Sequence, residues 1–191
     1  MPDGVQIDER PGKGHVYWTN MGSKANDGFL SRANLDGSDM RTIVPPGATH
    51  TPKQLVLDTE HELLYCSKSA RDNVEVLFDG LPEPIDLELY SNRLYWTDRG
   101  DPPFGNSLNS ADVSAPLRPG APPRGPSRDL VIAERFHETI GLTIDPAGEK
   151  IYVSDLLGSL WVTELDGSNK TAILRDAGNF TGIAFHPAKS A

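Results

Sequence analysis

Apolar and polar residues alternate along this chain in short runs separated by turn signals. From His15, Val16 and Trp18 fall on one side of an extended segment and Tyr17 and Thr19 on the other, the period of two expected of a strand. Three later stretches repeat this one: Leu64-Tyr65-Cys66-Ser67, Arg93-Leu94-Tyr95-Trp96-Thr97-Asp98 and Lys150-Ile151-Tyr152-Val153-Ser154-Asp155. Each sets an aliphatic residue before Tyr, a bulky or apolar residue after it, then Thr or Ser. A short alternating run precedes each of the last three Tyr residues by about ten positions: around Leu55 to Asp58, Asp86 to Leu89 and Gly141 to Asp145. Gly182 to His186 is a fourth such run and predicts a closing strand.

A second landmark follows the Tyr segments. Asn34-Leu35-Asp36-Gly37-Ser38 and Glu164-Leu165-Asp166-Gly167-Ser168 both carry Asp-Gly, which supplies the positive-φ position of a tight hairpin. Residues 40–44 and 171–174 read as the returning strands. One unit is therefore strand, turn, Tyr strand, hairpin, strand: a four-stranded antiparallel sheet of ~40 residues, the size of a β-propeller blade.

The spacing between units is uneven. Tyr17 to Tyr65 is 48 residues, Tyr65 to Tyr95 is 30, and Tyr95 to Tyr152 is 57. The long interval holds five prolines between residues 115 and 128, a surface excursion of extended chain. In the short interval no Asp-Gly hairpin occurs before Val76, so the repeat is irregular at residues 68–73 and that unit lacks its third strand. The polar, Gly- and Pro-rich residues 1–14 read as a disordered lead-in, 15–187 as the repeats, and 188–191 as a tail.

The Tyr-Trp-Thr-Asp segment at Tyr95 to Asp98, its variant at Tyr17 to Asn20 and the Asn34 to Ser38 hairpin resemble the YWTD repeats of the low-density lipoprotein receptor class B family, over nearly the whole chain. The resemblance implies an all-β, six-bladed β-propeller. The chain supplies about four blades' worth of sequence, which implies a shortened or open propeller. It carries one cysteine and none of the Cys-rich modules that accompany receptor propellers, and so is more similar to the stand-alone cytosolic propellers of microbes and fungi.

Composition narrows the function. With 18 glycines and 16 prolines among 191 residues the chain favours many turns over a helical bundle. A net charge of −9 without a Lys/Arg run disfavours nucleic acid and anionic membranes as partners. The polar N-terminus has no apolar leader region, which predicts a cytoplasmic location, and no apolar run approaches a membrane span. In that compartment the sequons at Asn169 and Asn179 carry no meaning.

Candidate chemistry is sparse. Asp36, Asp98, Asp155 and Asp166 fall at turn positions, where carboxylates accept backbone N–H groups. The competing reading is the calcium site of lactonase-type propellers, but these residues recur once per unit and do not converge. His15, His50, His61, His137 and His186 show no metal-binding spacing, and the sequence reveals no recurring acid partner for them. Ser31, Ser67 and Ser154 lack a nucleophile-elbow context. Cys66, standing where Trp stands in the full motif, reads as a small buried hydrophobe. Tyr17, Trp18, Tyr65, Tyr95, Trp96, Asp98, Tyr152 and Asp155 are expected to be structural, with Trp18, Trp96 and Trp161 packing between blades.

The most distinctive unrepeated stretch is residues 99–106, where Arg99, Asp101 and Phe104 are the candidate binding residues; the competing reading is a Pro-stiffened connector. The expectation is a non-enzymatic module binding a protein or peptide, with no cofactor or metal and with self-association through open blade edges. One alternative is a lactonase-type hydrolase, intact or degenerate, which would hold calcium. The other is a shortened product without independent function.

Overall fold

The computed structural model describes residues 1–12, 14–24, 26–67, 75–115 and 118–187. The expected irregularity at 68–73 and the tail at 188–191 lie outside the described residues. The chain divides into two compact units, one of residues 1–77 with 117–123 and one of residues 78–116 with 124–191.

Among the described residues all regular structure is β. In the first unit β1 (Pro2–Asp8), β2 (His15–Asn20), β3 (Gly28–Asn34) and β4 (Arg41–Thr49) form a four-stranded antiparallel sheet in sequence order, and β5 (Leu55–Asp58) pairs with β6 (Leu63–Cys66). In the second unit β7 (Pro84–Tyr90), β8 (Arg93–Asp98), β9 (Ser107–Asp112) and β10 (Val131–Glu134) form one four-stranded meander, and β11 (Thr139–Asp145), β12 (Lys150–Asp155), β13 (Leu160–Glu164) and β14 (Thr171–Leu174) another. The four sheets are the expected units of a partial propeller. Among the described residues no sheet closes on itself, and no helix is long and apolar enough to cross a membrane.

The Tyr segments are the second strands, β2, β6, β8 and β12. Both Asp-Gly hairpins fold as expected and share one bonding pattern. Asn34 N–H donates to the Ser38 carbonyl at 2.9 Å and Glu164 N–H to that of Ser168 at 3.0 Å, while Asp36 and Asp166 accept the N–H two residues on. Gly37 and Gly167 sit at φ of 84° and 81°, where a Cβ is disfavoured.

Two expectations are corrected. Residues 2–8, expected in a disordered lead-in, are β1, paired along β2 with Val5 opposite Trp18 and Ile7 opposite Val16. Ladder partners supply the order that local composition does not. The run from Gly182 to His186, expected as a strand, joins no ladder. It lies against β11 instead, with Phe185 N–H donating to Thr143 Oγ1 at 3.1 Å and a Cβ on Gly141 placed 3.0 Å from the Ile183 nitrogen. Finally, β9 and β10 complete a sheet for which no Asp-Gly hairpin gives a signal. Of the Pro-rich stretch, residues 118–125 are exposed as expected, and Arg124 bridges to Phe78.

Neighbouring sheets within each unit join through the motif hydroxyl. Thr19 Oγ1 accepts from Gly4 N–H at 2.9 Å and donates to the Lys53 carbonyl just before β5. Thr97 Oγ1 accepts from Asp86 N–H at 3.1 Å and donates to the Ile140 carbonyl on β11 at 2.8 Å. Ser154 Oγ accepts from Gly141 N–H at 3.1 Å. In these three sheets the first strand shifts register at the donating position, which turns an N–H toward the hydroxyl. Gly4 has no room for a side chain there, since a Cβ would lie 2.7 Å from the Lys53 carbonyl.

Period-two alternation then assigns the faces. Tyr95 and Leu108 share the Thr97 side of their sheet and pack against Leu142, Ile144, Ile151, Val153 and Trp161, all nearly inaccessible to solvent.

Candidate functional site

The fourth motif residue closes the loop that follows its strand. Asn20 Oδ1 accepts from Gly22 N–H at 3.1 Å, and Asp98 Oδ1 accepts from Gly100 N–H and Glu83 N–H, both at 2.9 Å. Asp155 accepts from Ser159 N–H at 2.9 Å and from Trp161 Nε1 at 2.8 Å. Hydrogen bonds from Ser38 and Ser168 hold the Asp36 and Asp166 carboxyls below the ordinary carboxylate range. All four carboxylates thus hold turns.

Tyr65, Tyr95, Trp96, Asp98 and Asp155 are buried, while Tyr17, Trp18 and Tyr152 are half-buried. Trp96 lies 5.1 Å from Phe78, centroid to centroid, and Trp161 meets Phe136 edge-on at 5.7 Å. Lys170 Nζ sits 4.2 Å from the Phe136 ring and 4.4 Å from that of Trp161 while donating to the Glu134 and Arg135 carbonyls. Cys66, expected to be buried, is only half-buried as a residue, although burial pushes its thiol up to about 11, which removes thiolate reactivity at neutral pH.

The loop after β8 is tied down along most of its length. Arg99 forks onto Glu83, with Nη2 2.6 Å from Oε1 and Nε 3.2 Å from Oε2, and this partner raises the guanidinium's already high pKa. The Asp101 carbonyl accepts from Gly105 N–H at 2.9 Å, and the Phe104 carbonyl accepts from Ser107 Oγ at 2.5 Å. Asn106 reaches Glu138 N–H at 2.6 Å, pinning the loop to the segment before β11. Asp101 is exposed and Phe104 half-exposed on this braced turn, whereas Arg99 is engaged by Glu83 and not brought together with them.

Two features escape a reading of the sequence. Acid partners for histidine do exist: His61 Nδ1 lies 2.8 Å from Asp58 Oδ2, and His137 Nδ1 lies 3.8 Å from Asp155 Oδ2. The Asp58–His61 spacing of three is visible in the sequence, but only the turn after β5 makes it a pair. The second is Glu88 on β7, whose carboxyl is pushed up to about 7 by burial and by the nearby Asp86 charge, against a hydrogen bond from Thr143. Asp86 itself accepts from Leu142 N–H at 2.8 Å. Among the described residues no three His, Cys, Asp or Glu side chains gather as a metal would require.

Compared with models of known protein families, the chain matches none. Individual proteins do match. The protein named low-density lipoprotein receptor-related protein 1 of Pyricularia oryzae is 35% identical over 267 aligned positions, covering 96% of this chain and 84% of that protein. The 3-hydroxyacyl-CoA dehydrogenase-like protein LAM1 of Cochliobolus heterostrophus is 29% identical over 269 positions, covering 96% of this chain and 56% of its own length. Protein cueball of Drosophila sechellia is 32% identical over 112 positions, 51% of this chain and 17% of that protein. The chain thus spans little more than half of LAM1 and a sixth of cueball. Since 96% of 191 residues is about 183, about 84 positions of the first alignment have no residue of this chain opposite them. The similarity to the Pyricularia oryzae protein, with the repeated Tyr segments and the sheets they build, shows that this chain belongs to the YWTD-containing, low-density-lipoprotein-receptor-like family.

Proposed function

We propose that the chain is a non-enzymatic β-propeller interaction module, binding a protein or peptide on the loop that carries Arg99, Asp101 and Phe104. The observation that carries this reading is the engagement of the motif's polar groups: Thr19, Thr97, Ser154, Asp98 and Asp155 all bond to backbone within or between sheets. Receptor-related naming among the relatives supports it. The finer reading is a stand-alone, cytoplasmic propeller of fungal type, short of a full ring by the ~84 unmatched positions, about two blades at ~40 residues each. The module needs no cofactor.

Glu88 favours a second reading, a lactonase-type hydrolase. A carboxyl titrating near neutrality can act as a general acid or base, and Asp86 stands beside it. LAM1's name points to a different chemistry and is a property of that longer protein. The two readings separate in one experiment: thermal unfolding with and without millimolar calcium, alongside lactone and phosphotriester hydrolysis assays. The interaction module shows no calcium shift and no turnover. A rise of several degrees together with turnover that Glu88→Gln removes establishes the hydrolase and overturns our reading. A broad, non-cooperative transition in a polydisperse sample would instead favour a shortened product without independent function.

A further inference from the structure

Alternation gives every sheet two sides, and residues paired across strands share one. The Tyr side carries Tyr and the motif hydroxyl; the Trp side carries the residue between them, which is Trp18, Cys66, Trp96 or Val153. In the second unit one kind of side covers the other. Leu142, Ile144, Ile151 and Val153, on the Trp side of β11–β14, form one core with Tyr95, Leu108 and Ala133, on the Tyr side of β7–β10. We propose that the chain self-associates head to tail by repeating this packing between molecules: the Tyr side of the last sheet in one copy docks on the Trp side of the first sheet in a second copy. This goes beyond the loop at residues 99–106 and does not depend on what that loop binds.

Comparison of equivalent positions finds one open side of each kind among the described residues. On the Trp side of β1–β4, Val5 pairs with Trp18 and is 58% exposed. Its counterparts, Leu55 opposite Cys66, Leu87 opposite Trp96 and Leu142 opposite Val153, are at most 7% exposed. Ile7, on the same side of β1, is exposed as well, whereas Ile144 at the same place on β11 is buried. On the Tyr side of β11–β14, Leu160 is half-exposed opposite Ser154, whereas Leu30 opposite Thr19 and Leu108 opposite Thr97 are at most 1% exposed. Leu174, paired with Leu160, is 47% exposed, while Ala133, paired with Leu108, belongs to the core.

A second copy is the occupant because each molecule carries both halves of the contact, and because docking continues an interface that the chain already builds between β7–β10 and β11–β14. Withdrawing Val5, Ile7, Leu160 and Leu174 from water supplies the driving force. Gly182–His186 lies on the β11 part of the last sheet's Tyr side, through the Phe185–Thr143 hydrogen bond, and leaves Leu160 and Leu174 open. The two docking sides differ, so the contact is heterologous: a dimer keeps one open side of each kind and adds further copies.

The test follows the mass of the full chain by sedimentation velocity and light scattering from micromolar to near-millimolar concentration. The expected mass rises with concentration past that of a dimer. Val5→Asp closes one docking side and Leu174→Asp the other, both at exposed positions, so each variant alone should unfold cooperatively and stay monomeric. Mixed in equal amounts they should form a dimer and stop there, because one brings an intact last sheet and the other an intact first sheet. The milder Val5→Ser and Leu174→Ser should each weaken association about tenfold. Phe104→Ala, on the loop at residues 99–106, should leave association unchanged. A wild-type chain that stays monomeric throughout, a mixture that stays monomeric, or aspartate variants that associate as the wild type does would overturn the proposal. Loss of association in Phe104→Ala would assign the contact to that loop and overturn it too.

Discussion

Thr97 shows how one hydroxyl does two jobs, accepting from Asp86 within its sheet and donating to Ile140 on the next. Thr97→Val keeps the shape and leaves both backbone groups without their partner. We expect a loss of about 2–3 kcal/mol in chemical denaturation, with Thr97→Ser recovering most of it. Glu88 sets a pH dependence of opposite sign to the usual carboxylate. Its folded pKa, pushed up to about 7, lies above the ordinary value of 4.5, so the folded state holds its proton longer. Stability from this group is full below about pH 4.5 and lost as pH rises to about 7, by at most a few kcal/mol. Glu88→Gln should flatten that part of the profile, which denaturation midpoints between pH 4 and 8 can measure. Asp8 behaves conventionally: the Arg10 hydrogen bond and charge lower its carboxyl to about 2, so its contribution is present above the ordinary 3.8 and fades as pH falls through about 2.

At the scale of elements, the two Asp-Gly hairpins share a backbone but not surroundings. A Cβ on Gly37 would meet nothing within 4 Å, while one on Gly167 would lie 2.1 Å from the Ile132 carbonyl. Gly37→Ala should therefore cost only the positive-φ penalty of about 1 kcal/mol. Gly167→Ala should cost clearly more, because backbone on β10 must move; parallel urea titrations of the two variants check the difference. These hairpins and the Tyr strands were legible because their signals are local, Asp-Gly at the turn and alternation along the strand. β9 was not: Ser107, Asn109 and Ser110 are poor advertisements for a buried strand. They are buried because β8 and β10 flank them and because Asn109 Nδ2 bonds Ser107 Oγ and Arg93 bonds Ser110 Oγ. β1 was hidden for a similar reason, its order coming from β2. The reverse error at Gly182 to His186 comes from alternation that meets β11 through the Thr143 hydroxyl without forming a ladder. Of the candidate site, Arg99, Asp101 and Phe104 could be singled out as an unrepeated stretch, but the Arg99–Glu83 fork joins residues 16 apart and leaves no mark in either segment.

At the scale of the whole molecule, the repeat as seen among the described residues is short of strands in one place, beside β6. Among the described residues four Tyr segments build four sheets, three with four strands and one with two. The short Tyr65 to Tyr95 spacing and the two-stranded β5–β6 sheet coincide, and the alignment with the Pyricularia oryzae protein has about 84 positions that this chain leaves unmatched. Amide hydrogen exchange of the free chain tests this most directly, because it compares equivalent strands within one molecule. If β6 is an edge where β8 and β12 are central, the amides of Leu63–Cys66 that do not face β5 should exchange at least about a hundredfold faster than their counterparts in Arg93–Asp98 and Lys150–Asp155. Protection of β6 equal to that of β8 would contradict the account.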